Sequence, residues 1–361
     1  MTMKRILVIN VNWLGDILFS TPFLRTVRAA YPEAFIASLV LPRGSDVLRH
    51  NPRLNEVIEY DEQGRHGSLR GKARFLGYLR KQKFDTAFIL HPSWKRALIS
   101  VLAGIPNRIG YATKHRQHIL SVAVPVPLTP IHKIDYFLAI ARACGMSTAC
   151  STYEFFISNE DHADARRLLQ ARGVQPNDAY VVFNPGGNWE PKRWPAGHFS
   201  RLGDMVSALP GIKVVVVGAP KDIGLAASIA AAMTKPAVIV AGQTSLGQLA
   251  AIMKASRAVI SADSGPMHIA AAVGSTVIAL FGPTEPALTG PRGSGKTVII
   301  QKSGDCAVPC YRKDCVDHHC MSAIQPQDVW QSLAPFLTPR ENSLAKKTPR
   351  EIDNSKGRRY A

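Results

Sequence analysis

The chain has 361 residues, 46% of them hydrophobic, enough for two ordinary α/β domains and too apolar for an intrinsically disordered protein. Lys and Arg number 44 against 26 Asp and Glu, and the net charge of +18 favours an anionic partner such as nucleic acid, acidic lipid or a phosphorylated glycan. No apolar run approaches the roughly twenty residues that span a bilayer, and Met-Thr-Met-Lys-Arg runs into a strand pattern without a signal-peptide core, so a cytoplasmic protein is expected.

The first strand pattern covers Lys4 to Asn10 and passes through Asn12-Trp13-Leu14-Gly15 to Asp16, after which apolar residues recur with helical spacing from Ile17 to Ala30. Asp16 therefore falls at a strand-to-helix turn, the carboxyl edge of an open parallel sheet, where ligands bind. A nucleotide-binding turn would offer several glycines. This one offers a single glycine and a carboxylate, which repels phosphate and can accept a proton from a hydroxyl. Two readings stand: Asp16 is a base, or it caps the helix it opens.

Further strands at Ala34 to Val40, Glu56 to Tyr60, Thr86 to Leu90 and Arg108 to Gly110 alternate with helical patterns to about Ile157, which predicts a doubly wound α/β sheet. Between Asp61 and Lys83 a basic, glycine-containing stretch reads as a mobile loop entering an amphipathic helix suited to a membrane surface. The segments after the later strands gather His91, Lys95 and Arg96, then Arg108, Lys114, His115 and Arg116. Singly these are solvated surface charges; together they suggest an anionic acceptor. A capped helix ended by Gly173 puts the domain boundary between Ser158 and Asp178, giving a first domain over 1–158 and a second over 159–338.

The second half repeats the plan with other chemistry. Tyr180 to Phe183 leads into Asn184-Pro185-Gly186-Gly187, with Lys192 and Arg193 close behind; glycines admit backbone near an anion, and the cations add charge and donors. After two more β-rich runs comes a strand, turn, helix and strand whose turn is Asp263-Ser264-Gly265-Pro266-Met267-His268. Ser264 is placed to cap that helix and Pro266 suits its first turn, leaving backbone donors for a phosphate. Gly290 to Thr297, "GPRGSGKT", fits the phosphate-loop pattern, but it follows a proline-broken stretch and precedes a β-rich one, so a polar turn is expected. Cys306, Cys310, Cys315 and Cys320 surround His318 and His319 with spacings unlike paired C-x2-C knuckles; they are a zinc site or reduced thiols in a compact loop. The helix in Gln325 to Leu337 is expected to pack back across the domain junction, and residues 339–361 form a basic tail expected to be disordered.

Four stretches, "VNWLGDILFSTPFLRTVRAAYP", "NPGGNWEPKRWP", "SADSGPMHIAAAVGSTVIALFGPTEP" and "CAVPCYRKDCVDHHCMSAIQPQDV", in this order resemble glycosyltransferase family nine, most of all its lipopolysaccharide heptosyltransferases. The resemblance covers about Met3 to Leu337. It implies the GT-B fold, two Rossmann-like domains facing across a cleft, the first holding the acceptor and the second a nucleotide sugar. Asp16 then matches the general base, and Lys192 lies where the family keeps a lysine near the donor phosphates. Gly186 and Gly187 fall on the donor side, where Asp263, Ser264, Gly265, Met267 and His268 match the donor-binding turn, Asp222 is placed for the ribose and Thr244 for the adenine. Acceptor contacts are expected from Asn12, Trp13, Lys95, Arg96, Lys114 and Arg116. Trp13 stands where many relatives have small residues, and it either shapes an acceptor pocket or packs in the core.

The implied reaction is single-displacement inversion without a divalent metal or other cofactor, from ADP-heptose as co-substrate to the phosphorylated inner core of lipopolysaccharide. The expected setting is the cytoplasmic face of the inner membrane, with the protein peripheral, monomeric and without a nucleic-acid partner. Hinge motion would fall near residues 158–178. The competing readings are transfer from another nucleotide sugar and a bilobal nucleotide-sugar epimerase. A basic nucleic-acid-binding protein would explain the charge but not the two mirrored turns.

Overall fold

Two six-stranded sheets, each fully parallel, organise the computed structural model, which describes residues 3–113, 115–304, 306–310, 312 and 314–337. The first sheet holds β1 (Arg5–Ile9), β2 (Phe35–Val40), β3 (Glu56–Glu59), β4 (Thr86–Ile89), β5 (Asn107–Tyr111) and β6 (Val122–Val124) in the order β3-β2-β1-β4-β5-β6. The second holds β7 (Ala179–Asn184), β8 (Ile212–Val216), β9 (Val238–Ile239), β10 (Val259–Ala262), β11 (Val277–Phe281) and β12 (Thr297–Gln301) in the order β12-β11-β10-β7-β8-β9. Counted from its own first strand, each sheet has the same doubly wound order, which reverses between β1 and β4 and between β7 and β10. Those switch points open crevices at the carboxyl ends of the strands.

Helices cover both faces of each sheet, so the inner strands are nearly continuous apolar runs; all five residues of β11 are buried. One apolar cluster lies on the far face of the first sheet around Leu7, Phe75 and Phe84, and another on the far face of the second around Phe183, Phe199 and Leu202. A third is shared: it runs from Phe19 and Phe23 through Tyr153 to Val182, Met267 and Ile269, joining the two halves in one core.

The predicted strands of the first half are present within about two residues of their expected bounds. β6 went unpredicted because its three residues, just before Pro125 and Pro127, are too few for a readable period. The helix expected over Ile17 to Ala30 is instead two, Leu14–Phe19 and Thr21–Ala30. Pro22 has no N–H for the Leu18 carbonyl, which accepts from the Thr21 hydroxyl at 2.8 Å instead, while Ser20 Oγ donates to the Ile17 carbonyl at 2.7 Å. Asp16 consequently sits inside the first helix, in its first turn, and not ahead of it.

One other expectation changes. The C-terminal helix Pro326–Leu333 packs on Ala196–Ala208 within the second half and does not cross the junction; the Trp194 indole N–H donates to the Ile324 carbonyl at 2.9 Å beside it. The loop over residues 61–67 is folded on itself, the Asp61 carboxylate accepting from the Gly64 and Arg65 amides at 2.9 Å each before Ser68 caps the helix Leu69–Lys81. As expected, the phosphate-loop-like stretch is a turn that opens a strand, β12, and not the helix a phosphate loop needs; Gly293 and Gly295 are needed because a Cβ at either would collide with the carbonyls of Ala271 and Ser275. The basic tail lies outside the described residues.

Candidate active site

The helices Leu14–Phe19 and Gly265–Ala272 each follow a strand at the carboxyl edge of its sheet and pack against one another. A Cβ on Gly15 would lie 3.1 Å from Cδ2 of His268, and one on Gly265 would lie 2.9 Å from Cδ2 of Leu14, so both glycines are there for close approach. The Phe19 ring stands edge-on to the His268 ring with centroids 4.6 Å apart. This contact brings the only carboxylate of the first turn, Asp16, up to the charged groups of the other half.

Asp16 accepts no hydrogen bond to its carboxylate from any described residue, and the helix it belongs to has no side-chain cap; the capping reading therefore fails. Burial raises its pKa above the usual aspartate range, and the nearby Asp263 adds to that, while Lys133, His268 and Lys192 act in the opposite direction. A carboxylate held in this balance, near two lysines but without a fixed donor among the described residues, is equipped to accept a proton.

Across from it, Lys192 Nζ lies 2.6 Å from Asp263 Oδ2, and His268 Nε2 is 3.7 Å from Asp263 Oδ1. Burial would raise the Asp263 pKa, but His268 and Lys192 together hold it well below the ordinary range, so Asp263 stays charged and anchors both. Ser264 occupies the cap position of its helix yet does not cap it. Its hydroxyl is engaged by Asn184 Nδ2 at 3.1 Å and by Ser261 Oγ at 3.1 Å, so the first amides of Gly265–Ala272 are left for another acceptor.

A cleft of about 450 Å³ lies along this seam. The first half contributes Asn12, Trp13, Leu14, Gly15 and Arg43; the second contributes the Gly186-Gly187 turn, Trp189, Lys192, Arg193, Asp222, Asp263, Ser264 and Gly265 among others. Arg193 donates to the Gly187 carbonyl at 2.8 Å and so holds the glycine turn in shape. Asp222 is almost fully buried, accepts from the Ala219 amide at 3.0 Å, and packs so tightly on Gly186 that a Cβ there would strike its carboxylate. The Trp189 indole N–H, buried at the cleft wall, has no acceptor among the described residues.

Not every expected residue lines the cleft: Asp16 and His268 are not on its wall, although Gly15 and Gly265 beside the seam are. Met267 is wholly buried in the shared core, so its side chain is a packing residue, and Thr244, in the turn before the helix Leu246–Ala255, does not line the cavity. Trp13 is 58% exposed, with the Arg43 guanidinium 4.5 Å over its ring, which rules out the core reading. Arg116 is 1% exposed and donates to the carbonyls of Tyr111 and His91, making it a structural brace and not an acceptor contact. Arg96 is likewise buried, 3.1 Å from Glu62 and over the Tyr60 ring; Lys95 is exposed away from the cavity, and Lys114 lies outside the described residues. Cys306, Cys310, Cys315 and Cys320 are free thiols, and among the described residues no three His, Cys, Asp or Glu side chains converge as a metal would require.

Sequence reading missed Arg43, Lys133, His132 and Tyr153, none of which stands in a motif. His132 is buried, which lowers its pKa to about 4 and keeps it neutral; its Nδ1 accepts from the Ile134 amide at 3.1 Å, which leaves Nε2–H to donate to the Gly290 carbonyl at 2.9 Å. No helix among the described residues is long and apolar enough to cross a membrane.

Residues 73–320 match the family model described as glycosyltransferase family 9 (heptosyltransferase). The lipopolysaccharide heptosyltransferase 2 of Salmonella typhimurium is 30% identical over 347 residues, covering 92% of this chain and 99% of the relative. Among solved structures, a family 9 glycosyltransferase from Veillonella parvula superposes with a TM-score of 0.83 at 25% identity, covering 93% of this chain and 98% of that one. The E. coli ADP-heptose lps heptosyltransferase II superposes with a TM-score of 0.76 at 27% identity, covering 92% and 98% respectively.

Proposed function

Because this chain belongs to glycosyltransferase family 9 and has its GT-B architecture, we propose that it transfers a heptose from ADP-heptose to the phosphorylated inner core of lipopolysaccharide, as the second heptosyltransferase of that core, with inversion. The observation that carries the proposal is the placement of Asp16: a carboxylate from one lobe, free of fixed donors among the described residues, set against Lys192, Asp263 and His268 of the other. In the proposed step the acceptor hydroxyl attacks the anomeric carbon, its proton passes to Asp16, and the bond from that carbon to the diphosphate oxygen breaks. The charge that develops on the departing ADP falls beside Lys192 and the free amides at the start of Gly265–Ala272, with no metal required of this machinery.

The donor is read onto the second lobe, with the Gly186-Gly187 turn and Lys192 near the diphosphate, Asp222 near the ribose, and the unmet Trp189 N–H as a further donor at the wall. The acceptor is read onto the first lobe at Asn12, Trp13 and Arg43, and the lobes divide at 158/159, where Ser158 caps a helix that packs on Leu246–Ala255 of the second. The enzyme works as a monomer on the cytoplasmic membrane face. The helix Leu69–Lys81 supports that setting, since Arg70, Lys72, Arg74, Arg80 and Lys81 are exposed along it next to an 85% exposed Leu69.

The deciding experiment incubates the protein with ADP-heptose and an inner-core acceptor lacking its second heptose, with UDP-sugars in parallel. Heptose transfer with inversion at the anomeric carbon, from the ADP donor alone, is the expected result. Transfer with retention, or turnover of the donor without acceptor, would overturn it.

A further inference from the structure

We propose that Tyr153 is a positioning residue for His268: reaching in from the segment that joins the lobes, its hydroxyl fixes the imidazole so that Nε2 carries the proton and faces Asp263. Its bearing on turnover rests on the function proposed above; its bearing on the imidazole does not. Tyr153 is 2% exposed, and its hydroxyl lies 3.0 Å from Nδ1 of His268. Asp263 is a charged carboxylate that can only accept, so in a neutral ring the proton sits on Nε2, the nitrogen turned toward it, and the Tyr153 hydroxyl donates to Nδ1. A donor at Nδ1 makes that nitrogen the acceptor of a neutral ring and leaves the N–H on Nε2, which lies 3.7 Å from Asp263 Oδ1. Phe19 fills the remaining side, its centroid 4.6 Å from His268 and 5.8 Å from Tyr153.

The hydroxyl can perform this task because the backbone carrying it is fixed from both lobes. The Tyr153 amide donates to the Arg292 carbonyl at 3.2 Å, and the next amide, of Glu154, donates to Thr21 Oγ1 at 3.0 Å. Arg292 pairs with Asp135 at 2.8 Å, and the Gly290 carbonyl accepts from His132. The phosphate-loop-like stretch, which opens a strand and not a helix, thereby acquires a role: its first residues tie the second lobe to the first on the side of the seam where Tyr153 enters. Tyr153 touches neither the cleft nor a reacting atom in this scheme, and it acts only through His268.

Tyr153→Phe keeps the ring and removes the hydroxyl. In the wild-type protein, 15N shifts of His268, identified by their loss in His268→Gln, should report the Nε2–H tautomer; in Tyr153→Phe they should report a mixture. With ADP-heptose and acceptor, kcat of Tyr153→Phe should fall roughly tenfold to a hundredfold while the donor KM stays within about twofold. In a His268→Gln background the same change should cost nothing further, as it must if Tyr153 works through that ring. Unchanged His268 shifts in Tyr153→Phe, or losses that simply multiply in the double variant, would overturn the assignment. Should no variant or wild type transfer heptose, the functional reading fails, and the tautomer measurement still decides the role of Tyr153.

Discussion

The turns that follow β1 and β7 stand at equivalent switch points of two sheets with one strand order, yet they are equipped in opposite ways. The first carries a single glycine and Asp16 inside a short helix; the second carries Gly186 and Gly187 with Lys192 and Arg193 behind them, and the turn after β10 adds uncapped helix amides. Identical topology thus supplies two similar crevices, and in the function proposed here their side chains would fit one to manage a proton and the other an anion. The lobes are then pressed together by paired glycines, so that the two chemistries share one space without sharing one lobe.

The sharpest way to break this comparison is to remove the proton acceptor alone. Asp16→Asn should lower kcat by about 10²–10⁴, the span expected for a general base, with ADP affinity by calorimetry unchanged. Near-normal transfer by a folded Asp16→Asn protein would end the assignment of Asp16. On the opposite side, Lys192→Ala should weaken ADP binding by roughly ten- to a hundredfold, the loss expected for one charge-assisted contact, and Lys192→Arg should recover part of it. An ADP affinity that ignores Lys192 would leave the anion side of the comparison without its cation.

How far these roles were legible in the sequence depends on where each residue's partners lie. Both sheets could be read because parallel strands covered on two faces are unbroken apolar runs, and the turns at Asp16 and Asp263 could be read because they interrupt those runs at a sheet edge. Arg116 could not be told from Lys95, since a buried guanidinium holding carbonyls and an exposed ammonium look alike in a basic segment. The Ser264 cap was misjudged for a similar reason: Asn184, eighty residues away, takes its hydroxyl. His132 and Tyr153 matter only through contacts made across the seam, and Lys133 only through its charge near Asp16, far from it in the chain; no local period or spacing encodes these.

The seam itself is testable at its two glycines. In Gly15→Ala the new methyl would crowd the His268 ring, and in Gly265→Ala it would crowd Leu14, whose side chain is the easier to move. Gly15→Ala should therefore be the worse of the two, destabilised by about 1–3 kcal/mol in thermal or urea unfolding. It should also lose more in kcat than in ADP affinity, because it separates Asp16 from the opposite lobe without touching Lys192. Equal tolerance of both changes would mean that the lobes do not depend on this approach.

The smallest effect expected is also the most specific to the asymmetry. Burial raises the Asp16 pKa in the folded protein, so the charged carboxylate is less comfortable folded than unfolded, and the folded state binds its proton more tightly. Stability referable to this group is therefore greatest at pH below the unfolded value of about 3.9 and falls as pH rises from there through the raised folded value. Asp16→Asn, which has no charge to bury, should unfold at a slightly higher denaturant concentration than wild type at neutral pH, with the gap closing as the solution is acidified. Such a crossing would show that the base is held at a cost to the fold, whereas a variant less stable than wild type at neutral pH would mean that the opposing cations outweigh burial and that Asp16 is an ion-pair partner before it is a base.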